Sequence, residues 1–178
     1  MKPKRLSRTT VYESDWITLH RDVVELPTGT VLPEHHVLDY PREAAAAVVF
    51  DEAGSLLFVR AYRYPTDALS WEIPAGGIDD GEDPITAAAR EVLEETGYET
   101  SDHRYLYRYY PSNGMSNQSV HLIACTAARR SGGIAPDEVE SAAWFSTGHI
   151  EQMLSSNEIT DGLTLTGLLV SGALASGR

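Results

Sequence analysis

Residues 76–98 read GGIDDGEDPITAAAREVLEETGY, and the order of elements in the chain turns on them. Asp83-Pro84 opens a helix, with Asp as the N-cap and Pro at the first helical position. The helix continues through Ala87-Ala88-Ala89 to Thr96, and Gly97 supplies a left-handed stop. Residues 71–81, rich in glycine and acids, are expected to form a loop ahead of it. Glu91, Glu94 and Glu95 stand at i, i+3 and i+4, so three carboxylates share one helical face. Like charges at that spacing destabilise a bare helix, and the C-terminal half of a helix disfavours anions. Such a face is either open to water or neutralised by cations. Carboxylate clusters suit hard, oxygen-seeking ions such as Mg²⁺ or Mn²⁺, which in turn bind phosphate oxygens.

A solvated acidic face is the competing reading of three glutamates alone. The surrounding residues argue for the cation. A glycine turn precedes the helix, Glu82 lies at its mouth, and Arg90 stands beside the cluster, in reach of an acid in the preceding loop. Three alanines allow close approach to neighbouring elements.

Outward from this segment, the first half of the chain reads as strands: residues 16–25, a Leu26-Pro-Thr-Gly29 turn, then residues 31–38. Residues 44–50 are small and apolar, and Asp51-Glu-Ala-Gly54 turns them into a second run at 56–60, a hairpin pattern. After the helix, Tyr105, Tyr107 and Tyr109 alternate with other residues as on a strand, expected to form one packed face. Residues 120–126 and 142–145 are further strands, separated by a Ser131-Gly-Gly133 turn. Helices are expected at 148–155 and 161–173. The basic start, Met1-Lys-Pro-Lys-Arg-Leu-Ser-Arg8, is expected to be a frayed terminus.

The 178 residues carry 14 Lys and Arg against 26 Asp and Glu, a formal charge of −12. That acidity argues against nucleic-acid or anionic-membrane binding, both of which need basic patches. An anionic substrate must then meet a local cationic site. Cys125 is the single cysteine, and no apolar run approaches membrane length. A cytoplasmic protein is expected. The six histidines show no metal-ligand spacing; His35 and His36 are adjacent on an expected strand and face opposite ways.

The 76–98 segment resembles the Nudix box, in which Gly76, Glu82, Arg90, Glu91, Val92, Glu94, Glu95 and Gly97 fall in register. Tyr98 is aromatic where the pattern takes an aliphatic. Seven fixed letters at roughly one chance in twenty each make coincidence about one in a billion per start position. The resemblance implies a Nudix α/β/α sandwich with a mixed sheet, and metal-dependent hydrolysis of a nucleoside diphosphate derivative. It implies Glu91 and Glu95 as the main metal ligands. Glu94 would assist directly or through water, among the catalytic acids, and the Ala75 carbonyl would complete the shell. It also implies Arg90 paired structurally with a loop acid, and Glu82 orienting the loop.

The stretch VRAYRYP at 59–65, followed by WEIPAG at 71–76, is similar to the branch acting on ADP-ribose and nucleotide sugars. By that similarity Arg63 contacts the diphosphate, the alternative being a surface arginine stacked on Tyr64; Glu72 either contacts the substrate or forms a loop or interface salt bridge. The segment from Pro111 to Gln118 stands where the branch has a proline-glycine loop followed by an acid. Here Asn113 precedes Gly114, and neutral Gln118 replaces the acid and is no base. The Gly114 loop is left to contact the terminal sugar. A separate general base is expected at Glu138 or Glu140, before the last strand. The branch further implies N-terminal strands over residues 1–40 forming an antiparallel sheet that builds a homodimer, with the hydrolase domain over 41–178. Two rivals remain open: a GDP-mannose or other nucleotide-sugar hydrolase, and a catalytically silent sensor of the same fold.

Overall fold

The computed structural model describes residues 2–134 and 139–173. In chain order the strands are β1 (Lys4–Glu13), β2 (Thr18–Glu25), β3 (Val31–Asp39), β4 (Ala44–Phe50), β5 (Leu56–Arg63), β6 (Ala68–Glu72) and β7 (Ala75–Gly77). Helix α1 (Pro84–Thr96) follows, then β8 (Tyr98–Tyr109), β9 (Val120–Arg130) and β10 (Ser141–Phe145), and finally α2 (Thr147–Ser155) and α3 (Gly162–Ser171). The described residues divide into two compact units, residues 1–43 with 110–119, and residues 44–109 with the chain from 120 onward.

The first unit is an antiparallel sheet in the order β1-β2-β3. Its β1 corrects the expectation of a frayed start, since Lys4 pairs with Glu25 and the ladder continues to Glu13 opposite Thr18. Every residue of β1 is exposed, so no burial pattern betrays the strand; backbone pairing and the ion pairs of Arg8 hold it. Arg8 donates from Nε and Nη2 to Asp22 at 2.8 and 2.9 Å and reaches Asp39 at 3.0 Å. Asp22 is buried, and the Arg8 guanidinium holds its carboxyl below the usual aspartate range. The segment from Pro111 to Ser119 belongs to this unit: Leu38 N–H donates to Met115 O, and Tyr40 N–H to Asn117 Oδ1 at 2.7 Å.

The second unit is a mixed sheet in the order β10-β5-β4-β9-β8, with β6 on β5 and β7 on β4. Central β4 runs parallel to β9, Ala44 opposite Val120 through Phe50 opposite Thr126. Alternation along β4 sends Ala45, Ala47 and Val49 to one face, where Ala87, Ala88 and Val92 of α1 cover them. Ala46 and Val48 go to the other face, with Ile150 and Met153 of α2 and Leu168 of α3. Burial on both faces explains why β4 reads as an unbroken apolar run. Each fully buried Val or Leu on these faces contributes about 1.5–3 kcal/mol. Small residues on β4 and α1 let the box helix lie close to the sheet. This is the expected α/β/α sandwich with a mixed sheet and a separate antiparallel one.

Two further expectations need correcting. Residues 71–81 are not all loop: β6 extends to Glu72, and β7 pairs its two glycines with Ala44 and Ala45. Backbone pairing needs no side chain, so composition alone hides it. Nor do the three tyrosines share a face. A register shift between Tyr105 and Tyr107 sets them opposite Ile123 and Leu122, which belong to the two different cores. One extra residue in a strand reverses every side chain beyond it.

Asp83 caps α1 by accepting from Ile85 N–H and Thr86 N–H, and Gly97 ends it at φ 75 with its N–H on Leu93 O. The Gly97 carbonyl accepts from Ser131 and Gly132 N–H at 2.8 and 3.1 Å. A Cβ on Gly97 would overlap the Gly132 carbonyl. Gly97→Ala is therefore expected to lower unfolding free energy by about 2 kcal/mol or more, from left-handed backbone strain plus this overlap. Urea denaturation checks it, and an unchanged midpoint would show that the 131–133 turn yields freely.

Candidate active site

Three carboxylates on one face of α1 need a positive partner, and Arg90 provides it. Its Nε and Nη2 donate to the two oxygens of Glu82 at 3.1 and 3.0 Å. Nη1 reaches Glu91 at 2.8 Å and Glu94 at 3.0 Å. Nη2 also donates to the Gly77 carbonyl at 2.8 Å. The hydrogen bonds to Glu82, more than any other contact, hold the Arg90 guanidinium charged. The same bonds, with Asp79 N–H, keep the Glu82 carboxyl below its ordinary range. Five donors in a rigid fork let one arginine tie loop, strand and helix together, which lysine's single ammonium would not.

Glu91 and Glu95 point inward and are 8% and 7% exposed, whereas the Glu94 side chain is half exposed at 50%. The Glu91 carboxylate fills the space where a Cβ on Gly76 would lie, so any larger residue there would displace that carboxylate. Glu95 Oε2 accepts from Ala75 N–H at 3.1 Å. β7 thus brings Ala75 and Gly76 against Glu95 and Glu91. Among the described residues no three His, Cys, Asp or Glu side chains gather into a ready-made metal cage. Two buried carboxylates against the backbone of Ala75 and Gly76 nevertheless offer oxygen ligands. That set fits a hard cation held by few carboxylates, with water and phosphate oxygens completing its shell.

Arg63, opposite Ala68 at the end of β5, reaches along the sheet to Glu72, opposite Val59 at the end of β6. Arg63 Nε lies 3.0 and 3.1 Å from the two Glu72 oxygens, and Nη2 is 2.5 Å from Oε2. The Glu72 side chain is 6% exposed and that of Arg63 54%. Glu72 above all, with Asp161 and Glu95 also contributing, holds the Arg63 guanidinium charged. Sequence reasoning named both residues but not their pairing, and it passed over Asp161, whose only signal was its place as the N-cap of α3.

Gly114 and Gln118 lie in the unit of the three-stranded sheet. Glu138 lies outside the described residues. Glu140 is tethered: its N–H donates to Arg60 O at 2.8 Å, and its carboxylate stands 3.6 Å from Arg60 Nε. Cys125 is buried, and burial pushes its thiol up to about 12, which removes it as a nucleophile.

With this geometry in place, similarity to known proteins becomes informative. Residues 40–161 match the NUDIX domain family. The chain belongs to that family. Residues 3–38 match a second family, the nucleoside diphosphate sugar hydrolase N-terminal domain. A CMP-5'-(N-acetyl-N-hydroxy-3-aminopropyl)phosphonate hydrolase of Streptomyces rubellomurinus is 35% identical over 94% of this chain and 81% of its own. An ADP-ribose pyrophosphatase of Mycobacterium tuberculosis is 28% identical over 97% of this chain and 84% of its own. A crystal structure of an ADP compounds hydrolase superposes with a TM-score of 0.87 at 20% identity. It covers 99% of this chain and 96% of that one, and at that identity it speaks for the fold alone. The chain is a Nudix pyrophosphohydrolase, and Nudix hydrolases generally depend on a divalent metal.

Glu95→Gln keeps the shape of the side chain and removes one charge from this oxygen set. Turnover is expected to fall by two or more decades, with the thermal midpoint within a few degrees of wild type. Wild-type rates at saturating Mg²⁺ would take Glu95 out of the site.

Proposed function

We propose that this Nudix hydrolase cleaves the pyrophosphate of ADP-ribose or a related nucleoside diphosphate sugar, giving a nucleoside monophosphate and a sugar phosphate. One observation carries the reading: Glu91 and Glu95, buried side by side on α1, meet Ala75 and Gly76 of β7. The match of residues 3–38 to the N-terminal domain of nucleoside diphosphate sugar hydrolases supports the substrate class. The box has kept all its acids, which weighs against a silent sensor.

In this reading Glu91, Glu95, the assisting Glu94 and the Ala75 carbonyl would hold Mg²⁺ or Mn²⁺, which when bound would supply positive charge to the diphosphate and acidity to the attacking water. Arg90 and Glu82 keep the glycine strand and the acidic helix face in register. Arg63, poised by Glu72, meets the diphosphate, and Glu72 also meets the substrate. The Gly114 loop contacts the terminal sugar. Water attacks one phosphorus of the anhydride and the bridging P–O bond breaks. The bridging oxygen leaves with the other phosphate. A carboxylate outside the box takes the water's proton, since cation ligation depresses the basicity of the box acids. Glu138 is the better candidate, because Glu140 is tied to Arg60 through both backbone and side chain. The single, buried cysteine accords with work in a reducing cytoplasm.

The three-stranded sheet exposes Leu6, Val11, Tyr12 and Val31, and Trp16 is exposed in the link from β1 to β2. That is an apolar surface of the kind a second copy covers. A homodimer is expected in sedimentation velocity, and a monomer at micromolar concentration would reject it.

A product assay tests the catalytic reading. ADP-ribose, other ADP-sugars, GDP-mannose and a CMP-linked phosphonate are offered with Mg²⁺ and with Mn²⁺. The phosphonate belongs in the panel because the relative at 35% identity is named for it. AMP released fastest, from an ADP-sugar, is the expected result, and preference for GDP-mannose or the phosphonate would move the substrate class. Arg63→Ala is expected to raise KM for every substrate accepted. Glu138→Gln is expected to lower kcat by about 100-fold, the usual worth of a general base, and Glu140→Gln by much less. The reverse order would move the role to Glu140, and small losses in both would leave no separate base.

A further inference from the structure

Residues 73–75 join β6 to β7, and so join the buried Glu72 to the strand that meets Glu91 and Glu95. Three different elements hold their backbone. Ala75 N–H donates to Glu95 on α1 at 3.1 Å, and the Pro74 carbonyl accepts from Ala47 N–H on β4 at 2.9 Å. The third hold comes from the far end of the chain: Ile73 N–H donates to Thr164 Oγ1 on α3 at 3.0 Å. Thr164 is fully buried.

The polarity of that contact is dictated. A threonine hydroxyl carries one proton. Asp161 Oδ2, ionised, only accepts, and it lies 2.7 Å from Thr164 Oγ1 and 2.7 Å from Thr164 N. The hydroxyl proton therefore goes to Asp161, and a lone pair is left for the Ile73 amide. Carboxylate, hydroxyl and amide form one directed chain from the α3 cap to the β6–β7 link. An ordinary N-cap needs only Asp161 and the Thr164 N–H; the bond onward to Ile73 exceeds what capping requires. The packing is equally close, since a Cβ on Gly167 would stand 2.7 Å from Ile73 Cδ1.

We propose that Thr164, oriented by Asp161, is a positioning residue of the hydrolase. By fixing the Ile73 amide it sets the Glu72 carboxylate on one side and the Ala75 backbone on the other. The inference rests on the reading that Ala75, Glu91 and Glu95 hold the cation. It adds a support from α3, an element that lies beyond the 40–161 family match.

Thr164→Val keeps the shape and deletes the hydroxyl, while Thr164→Ser keeps the hydroxyl. Both are compared with wild type for kcat, KM, Mn²⁺ binding by calorimetry, thermal midpoint and amide exchange at Ile73. Outer-shell supports are commonly worth about 10–100-fold in metal affinity or activity. Thr164→Val should therefore lose about tenfold or more in kcat, with a smaller rise in KM through Glu72 and Arg63. It should bind Mn²⁺ several-fold more weakly and exchange the Ile73 amide faster, and Thr164→Ser should recover most of each.

A Thr164→Val protein with a lower thermal midpoint but wild-type kcat and Mn²⁺ affinity would overturn the proposal. Equal losses in the Val and Ser variants would do the same. Should Thr164→Val not fold, Asp161→Asn decides: it retains a capping acceptor but no longer dictates the direction of the hydroxyl. A smaller loss with the same split of kcat from KM supports the proposal, and wild-type behaviour overturns it. A wild-type enzyme that turns over and binds Mn²⁺, beside an indifferent Thr164→Val, refutes only the positioning role. A wild type that does neither refutes the functional reading, and the inference falls with it.

Discussion

The Arg90 guanidinium is the constraint on which the rest of the site depends. Helix α1 places three glutamates within two turns, and each like-charged pair at that spacing disfavours the helix by roughly 0.2–0.5 kcal/mol. Arg90 meets Glu91 and Glu94 on the same helix, Glu82 in the loop and the Gly77 carbonyl on β7. It therefore offsets the repulsion and locks the approach of the loop to the helix at once. Without it Glu91 would be a buried carboxylate facing a glycine strand with less to balance its charge, an arrangement that burial penalises heavily.

The sheet makes that arrangement possible. With both faces of β4 covered, the strand is a rigid floor on which α1 rests through alanines and Val92. β7 is added to the same strand by pairing Ala44 with Gly77 and Ala46 with Ala75. Glycine strand and helix are thus registered to one strand. The glycine at 76 matters for what it lacks: the Glu91 carboxylate occupies the volume of the missing side chain. Charge and shape are matched within a few residues, which is why the motif is so compact in sequence.

The paired Arg63 and Glu72 show how an exposed guanidinium is kept oriented. A lone arginine on a sheet edge samples many rotamers, whereas a bidentate carboxylate holds its fork in one plane. The same ion pair lowers the net charge of the group, so the guanidinium is oriented at some cost in field strength. Asp161 and Glu95 add to that negative surround.

The sequence by itself determined the box helix, its caps, the acids it gathers and the family, because those features are local. An N-cap aspartate, a proline, a terminal glycine and a 3.6-residue period all lie within 23 consecutive residues. It also determined the two-faced core strand, whose unbroken apolar run has few other meanings. Tertiary structure alone decided what depends on distant backbone. β1 has no buried face to announce it, and β7 is made of residues that read as loop. The tyrosines of β8 are split between faces by an irregularity that no composition reveals. The Thr164 hydroxyl reaches an amide 91 positions away. Hydrogen bonds between remote backbone groups leave no periodic trace in side-chain chemistry, so only the folded chain could place them.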